Sequence, residues 1–311
     1  MRISDNMETV KDIRIGDSVT ASTGFQATQI ERAVQIIKRM KKDRATVFLS
    51  FTSNMVASGL RGIFAELCKR KFVDVIITAG GSLDHDLIRA YDAYYIGDFF
   101  MDDVELHRKG INRLGNILIP NERYELLERK IKPVFERLYA ANKNHTCSPS
   151  EIAREIGKDL GKSKNNSSSF LYWAARNNIP VYCPGITDSA VGLQAYFFKQ
   201  QAKRRDFGID VTKDMPQLAQ TVLTANKTGA IVLGGGISKH HTIGVNILRG
   251  GLDYAVYVTT ASPWDGSLSG ARTQEAVSWG KISEKAKTVN AVTVDGDATI
   301  VFPIIISGAC K

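Results

Sequence analysis

Thr46-Val47-Phe48-Leu49-Ser50-Phe51-Thr52-Ser53-Asn54 is an apolar run of strand length that ends in small polar residues. Its reading decides the fold. Met55 to Arg70 follows with helical periodicity, then Val73 to Ile77 forms a second apolar strand ending at Thr78-Ala79-Gly80-Gly81. Asp84 to Tyr91 reads as a short helix. Strands buried on both faces read as near-continuous apolar runs, and strand–helix alternation predicts a mainly parallel sheet with helices on both faces. The fold class is therefore α/β.

Working outward, Gln26 to Lys42 has Ile30, Val34, Ile37 and Met40 at the spacing of an amphipathic helix. Residues 1–22 read as an irregular N-terminal arm. Tyr94 to Ile119 is rich in glycine and asparagine and reads as irregular. Glu122 to Lys143 predicts a long charged helix that tolerates Pro133. Ser148-Pro149-Ser150-Glu151 has the cap, proline and glutamate of a helix start. Residues 122–165 read as a helical insertion within one domain spanning 1–311. The alternation resumes with helices at Ser168–Arg176, Asp188–Gln200, Val211–Lys227 and Ser238–Arg249. Strands are expected at Pro180–Cys183, Ala230–Leu233, Tyr254–Thr259 and Asn290–Val294.

The 311 residues carry 41 Lys and Arg against 32 Asp and Glu, a net charge of +9. That surplus lies on helix faces such as Lys38 to Lys42, without the aromatic–basic patch that nucleic acid would need. Cys68, Cys147, Cys183 and Cys310 are far apart and form no Cys-x-x-Cys pair. Neither a zinc site nor a disulfide framework is indicated, and a reducing cytoplasm fits. No apolar run reaches the ~18 residues of a membrane span, and no signal-peptide pattern opens the chain.

Three small-residue loops follow apolar strands: Thr52-Ser53-Asn54, Thr78-Ala79-Gly80-Gly81 and Gly234-Gly235-Gly236. Glycine admits close approach of a phosphate, and helix N-termini donate N–H groups to it, so together the loops favour a nucleotide. Tight turns after strands use the same residues. None matches a Gly-x-Gly-x-x-Gly or P-loop pattern. Near the C-terminus, Trp264 to Lys281 begins with a small-residue loop, continues as a helix over Thr273–Ser278 and ends on Trp279-Gly280-Lys281. Gly280 lets the backbone turn and present the amine, Trp279 can exclude water, and Glu275 can hold an ammonium group. A desolvated lysine loses its proton more easily, so the stretch suits an imine-forming Lys281. A surface lysine after a helix fits it too. Trp264 and Trp279, with Asp265 and Glu275, could box an aliphatic cation. In Lys239-His240-His241 a histidine could exchange a proton near neutral pH, though such pairs are often structural. With Asp84 and His85 as the other nearby candidates, no metal constellation emerges.

At these residues the sequence resembles the deoxyhypusine synthase family. The matching segments include Thr23 to Thr28, Phe51 to Asn54, Thr78 to Gly81, Gly115 to Asn121, Gly234 to His241, Asp253 to Tyr257 and Gly270 to Lys281. The resemblance implies a Rossmann-like fold and a homotetramer with sites shared between subunits. It implies NAD used within the catalytic cycle, and transfer of a 4-aminobutyl group from spermidine to one lysine of the precursor of translation initiation factor 5A. By matching position it gives His240 as the base and Lys281 as the imine-forming lysine. It assigns Ser53, Asn54, Thr78, Ala79, Gly80, Asp188, Thr260, Ala261, Asp297 and Ala298 to NAD. It assigns Asp84, His85, Gly266, Ser267, Glu275 and Trp279 to the amine.

Leu193 and Leu268 stand where the eukaryotic branch places aspartates, and Ser82-Leu83-Asp84-His85 replaces a shorter pair of glutamates. This pattern is similar to the archaeal branch. An unpaired ammonium in a dry tunnel is costly, which makes Asp84, Asp265 and Glu275 the candidate replacements. The alternatives are homospermidine synthase, which shares the lysine imine but delivers the butyl group to putrescine, and a catalytically silent NAD-binding subunit.

Overall fold

The computed structural model describes residues 10–12, 14, 21–286 and 289–310. Most of the expected N-terminal arm, residues 1–9, 13 and 15–20, lies outside the described residues. Six strands form one sheet: β1 (Thr46–Phe51), β2 (Val75–Thr78), β3 (Val181–Tyr182), β4 (Thr228–Leu233), β5 (Tyr254–Thr259) and β6 (Ala291–Asp295). Their order is β6-β5-β4-β1-β2-β3, and every neighbouring pair is parallel. This is the doubly wound order in which the chain grows outward from β1 on one side, then from β4 on the other. The α/β, Rossmann-like expectation is thus the observed fold.

Side chains alternate across the sheet as the two-residue strand period requires. Val47, Leu49 and Phe51 enter a large core with helices Phe25–Lys42, Leu60–Lys69, Gly80–Tyr91 and Ala298–Ala309. Phe48, Val232, Ala255 and Tyr257 enter a smaller core with Leu218, Ile243, Ala276 and Ile282. The expected insertion forms helices Glu122–Ala141, with Pro133 inside it, and Pro149–Asp159, opened by a capping box on Ser148. Its Ile131, Phe135, Ile152 and Ile156 join the larger core, so these helices complete one layer of the sandwich.

Three local expectations are corrected. The helix expected over Met55–Arg70 is broken into Ser53–Ala57 and Leu60–Lys69. The Arg89 guanidinium donates to the carbonyls of Val56, Ala57 and Ser58 at 2.9, 3.1 and 2.5 Å, satisfying the end of the first piece. Tyr94 to Ile119 is not irregular. It holds helix Asp103–Arg108 and a three-stranded antiparallel sheet, Tyr95–Ile96, Ile111–Leu114 and Ile117–Pro120. The last two strands form a hairpin across Gly115-Asn116, where Gly115 has φ +61°. The C-terminal helix Ala298–Ala309 was not anticipated; it is apolar nearly all round and contains Pro303.

A buried ion pair links the helices behind β1 and β2. Arg61 Nε donates to Asp86 Oδ1 at 2.5 Å, with both residues almost wholly buried. Asp86 Oδ2 also accepts from Ser169 Oγ at 2.7 Å and from the Leu171 amide at 2.9 Å.

Candidate active site

In open α/β sheets ligands bind beyond the carboxyl ends of the strands, at the point where strand order reverses. Here that point lies between β1 and β4, so it is bordered by Thr52-Ser53-Asn54 and Gly234-Gly235-Gly236. Gly234 and Gly236 have φ +81° and +66°, and a side chain at Gly236 would meet nothing within 4 Å. At Gly235 a Cβ would stand 2.1 Å from Ser269 Oγ, because the loop before helix Thr273–Ser278 folds down onto it.

The ten residues expected around NAD all lie at or after the carboxyl ends of strands. Ser53 and Asn54 follow β1, and Thr78, Ala79 and Gly80 close β2. Asp188 lies in the exposed turn after β3, Thr260 and Ala261 follow β5, and Asp297 and Ala298 follow β6. Their side chains are not equally available. Thr78 is fully buried and its hydroxyl donates to Phe51 O at 2.8 Å, bridging β1 and β2, so its main chain is what it offers a ligand. Gly80 is required by packing, since a Cβ would come within 2.6 Å of Ser189 Cβ. Asp297 caps helix Ala298–Ala309 by accepting from the Thr299 amide at 2.7 Å.

On the smaller-core side of the sheet, a cavity of about 230 Å³ brings together Lys239, His240, Tyr257, Glu275, Trp279 and Lys281. Helix Thr273–Ser278 ends at Trp279, Gly280 turns with φ +66°, and Lys281 enters the cavity. The Lys281 amide donates to Ala276 O at 2.9 Å and its carbonyl accepts from Leu252 at 3.0 Å, so the main chain is fixed on both sides. Lys281 is only 9% exposed, and its Nζ lies 5.1 Å from the centre of the Trp279 ring. His240, Glu275 and Trp279 are exposed and form the mouth. Leu268 lines the cavity too, whereas Leu193 projects from helix Ala190–Gln200 into solvent.

The remaining expected amine residues are not brought to this cavity. Trp264 is 92% exposed and outside it, so the expected pair of indoles does not close a box; Trp279 alone faces Lys281. Asp265, Gly266 and Ser267 are exposed, and Asp265 Oδ1 accepts from the Ser267 amide at 2.7 Å. Asp84 and His85 belong to helix Gly80–Tyr91, which packs in the opposite layer. His85 Nδ1 lies 2.9 Å from Tyr94 Oη, and burial, with Arg89 adding, pulls its pKa down to about 4. Asp84 accepts from the amides of Ala190 and Val191 at 2.8 and 2.9 Å, capping helix Ala190–Gln200. Two residues that reasoning from the sequence left out, Lys239 and Arg272, line the cavity. The signal for Lys239 is its place four residues before buried Ile243, on the same helix face.

Burial raises the Asp84 pKa to about 6, against the opposing pull of its two N–H bonds. The folded chain therefore binds this proton more tightly than the unfolded chain does. The resulting stabilisation is complete below about pH 4 and disappears as pH rises through about 6, an effect on the order of 2–3 kcal/mol. Urea unfolding should show the stability of the unsubstituted chain falling relative to Asp84→Asn between pH 4 and 6.5. A difference that does not change with pH would refute this assignment.

Among the described residues no three His, Cys, Asp or Glu side chains are grouped so as to hold a metal. No helix among them is long and apolar enough to cross a membrane.

The chain matches the family model for deoxyhypusine synthase over residues 17–309. A Thermoplasma acidophilum protein named "Probable deoxyhypusine synthase" is 48% identical over 300 residues, covering 95% of this chain and 93% of its own. A Methanocaldococcus jannaschii protein of the same name is 44% identical over 293 residues, covering 91% and 88%. A solved Entamoeba histolytica structure assigned to deoxyhypusine synthase superposes with a TM-score of 0.66 at 25% identity, covering 93% of this chain and 89% of that one. The AgrE complex with ornithine and NAD+ shares the fold alone, at 13% identity and a TM-score of 0.55, over 91% of this chain and 32% of AgrE.

Proposed function

The chain belongs to the deoxyhypusine synthase family, and from that premise we propose that it transfers the 4-aminobutyl group of spermidine to one lysine of the precursor of translation initiation factor 5A, releasing 1,3-diaminopropane. The observation that carries this reading is the largely buried Lys281 with its amine beside Trp279, in one cavity with His240 and Glu275. When bound, NAD would supply the hydride acceptor, and later the hydride donor, for the carbon beside the secondary amine of the donor. Ser53, Asn54, Gly80, Asp188, Thr260, Ala261, Asp297 and Ala298, with the main chain of Thr78 and Ala79, would hold it. The fit is supported by the reversal of strand order between β1 and β4 and by the open face of Gly236.

In this reading His240 takes the proton of the secondary ammonium on an imidazole nitrogen. Glu275 at the cavity mouth pairs with an ammonium group of the donor. Lys281 Nζ attacks the carbon of the oxidised donor, a new C–N bond forms, and the bond to diaminopropane breaks. The leaving amine carries the proton away. The acceptor lysine then attacks the same carbon and frees Lys281. Hydride removed equals hydride returned, so the transfer is redox-neutral overall. Trp279 screens the amine from water on one face, which protects an imine from hydrolysis. A homotetramer belongs to the same proposal; the exposed His240, Glu275 and Trp279 leave room for a second copy to close the mouth.

Borohydride reduction of a mixture of protein, NAD and spermidine labelled in the butyl group tests the reading. Label is expected on Lys281 without the factor, and on the factor's lysine with it. Label passing to putrescine instead would favour the homospermidine reaction, and label on no lysine would end both.

A further inference from the structure

Lys239 and Arg272 are the charged residues at the cavity that this reaction leaves without a role, and of the two only Lys239 is buried. It is 1% exposed and ranks among the largest fully buried side chains. Its Nζ donates to Leu268 O at 2.8 Å and to Ala271 O at 2.7 Å, and lies 4.4 Å from the centre of the Tyr257 ring. Those carbonyls belong to the loop that crosses Gly235 and leads into helix Thr273–Ser278, which carries Glu275 and ends beside Trp279 and Lys281. Lys239 itself precedes His240 on helix Gly236–Val245. One ammonium therefore joins two segments that both line the cavity.

The other ties on this loop run elsewhere; the charged one pairs Arg272 with Asp295 at the end of β6. Thr259 Oγ1 donates to Ser269 O at 3.1 Å, and the amides of Gly270 and Ala271 turn back to Ser267 O and Leu268 O at 3.1 and 3.3 Å. None of them reaches the helix that bears His240. A buried ammonium forms charge-assisted hydrogen bonds, roughly twice as strong as neutral ones, and so makes a stiffer clamp than an amide could.

We infer that Lys239 is a positioning residue whose buried ammonium clamps the 266–272 loop to the His240 helix, fixing the spacing of His240, Glu275 and Lys281. This rests on the proposed transfer reaction. Burial pulls the Lys239 pKa down to about 8, with Glu275 opposing and Arg272 adding, so the clamp is charged at neutral pH.

The test compares Lys239→Met, which fills the same space without the charge, with Lys239→Arg, which keeps the charge and both donors. Diaminopropane release is measured at saturating NAD over a range of spermidine, together with hydrogen exchange of the loop amides. For Lys239→Met we expect kcat per folded chain to fall about a hundredfold, KM for spermidine to stay within about threefold, and amides over 266–272 to exchange at least ten times faster. Lys239→Arg should recover at least tenfold of the lost kcat. A merely structural lysine would lower the melting temperature and leave kcat per folded chain intact; that result overturns the inference, as does an arginine variant no better than the methionine one. If the unsubstituted protein released no diaminopropane, the reaction assignment would fall, while loop exchange in Lys239→Met would still decide the clamp.

Discussion

Lys281→Ala should leave no covalent imine and no measurable 1,3-diaminopropane, a loss of at least about a thousandfold on the scale of a removed covalent nucleophile. The geometry makes this a clean deletion. The Lys281 backbone is held by Ala276 and Leu252, so truncating the side chain leaves the turn at Gly280 in place. The side chain opens into a cavity that already holds space, so little packing is lost and stability should change by about 1 kcal/mol or less. NAD should bind with an affinity within about twofold of the original, because the residues expected around it follow the strand ends and none is Lys281. Lys281→Arg should be equally inactive, since a guanidinium remains protonated and cannot attack carbon. Mass spectrometry of the borohydride-reduced protein and calorimetric titration of NAD together check these expectations. Full-rate product from Lys281→Ala would remove the chain's proposed nucleophile.

The sheet could be read from the sequence because parallel strands buried on both faces leave an unmistakable trace. Thr46–Phe51 has the bounds read from its apolar run, and Tyr254–Thr259 likewise. Periodicity failed where it does not exist. Ala298–Ala309 is apolar nearly all round, so it carries no amphipathic stripe, and Pro303 argues against a helix until Phe302 is seen packed on Phe64. The 94–119 hairpin has strands of two to four residues, too short for alternation to register, although Gly115-Asn116 between two β-prone stretches was a usable turn signal. At the cavity, the segment from Glu275 to Lys281 was legible because it is local: a helix end, a turn and an amine. Asp84 and Lys239 were not, because their partners arrive from far along the chain. Asp84 meets amides 106 and 107 residues away, and Lys239 meets carbonyls 29 and 32 residues away. No local pattern distinguishes a carboxylate that caps a remote helix from one that faces an amine.

The same long-range logic makes Asp86 the position where a single change should cost the fold most. Removing one partner of a buried pair strands the other charge, which typically costs about 3–5 kcal/mol. Asp86→Ala would leave Arg61 nearly without solvent and without its carboxylate, and would also leave the Ser169 hydroxyl proton and the Leu171 amide without an acceptor. Asp86→Asn keeps the shape and two acceptor lone pairs, so it should lose roughly half as much. The double variant Arg61→Met, Asp86→Leu removes both charges together and should recover much of the loss, because the desolvation penalty goes with them. There is also a functional consequence. Asp86 and Arg89 lie on helix Gly80–Tyr91, whose first residue closes the loop after β2, and Arg89 caps the helix that begins at Ser53. Loosening that helix loosens both loops expected to face NAD, so Asp86→Ala should weaken NAD binding even at temperatures where the chain stays folded. Urea unfolding of the three variants, with NAD titration of each, separates these effects. If the double variant proves as unstable as Asp86→Ala, the stranded charge is not the cause, and the lost hydrogen bonds to Ser169 and Leu171 must carry the stability instead.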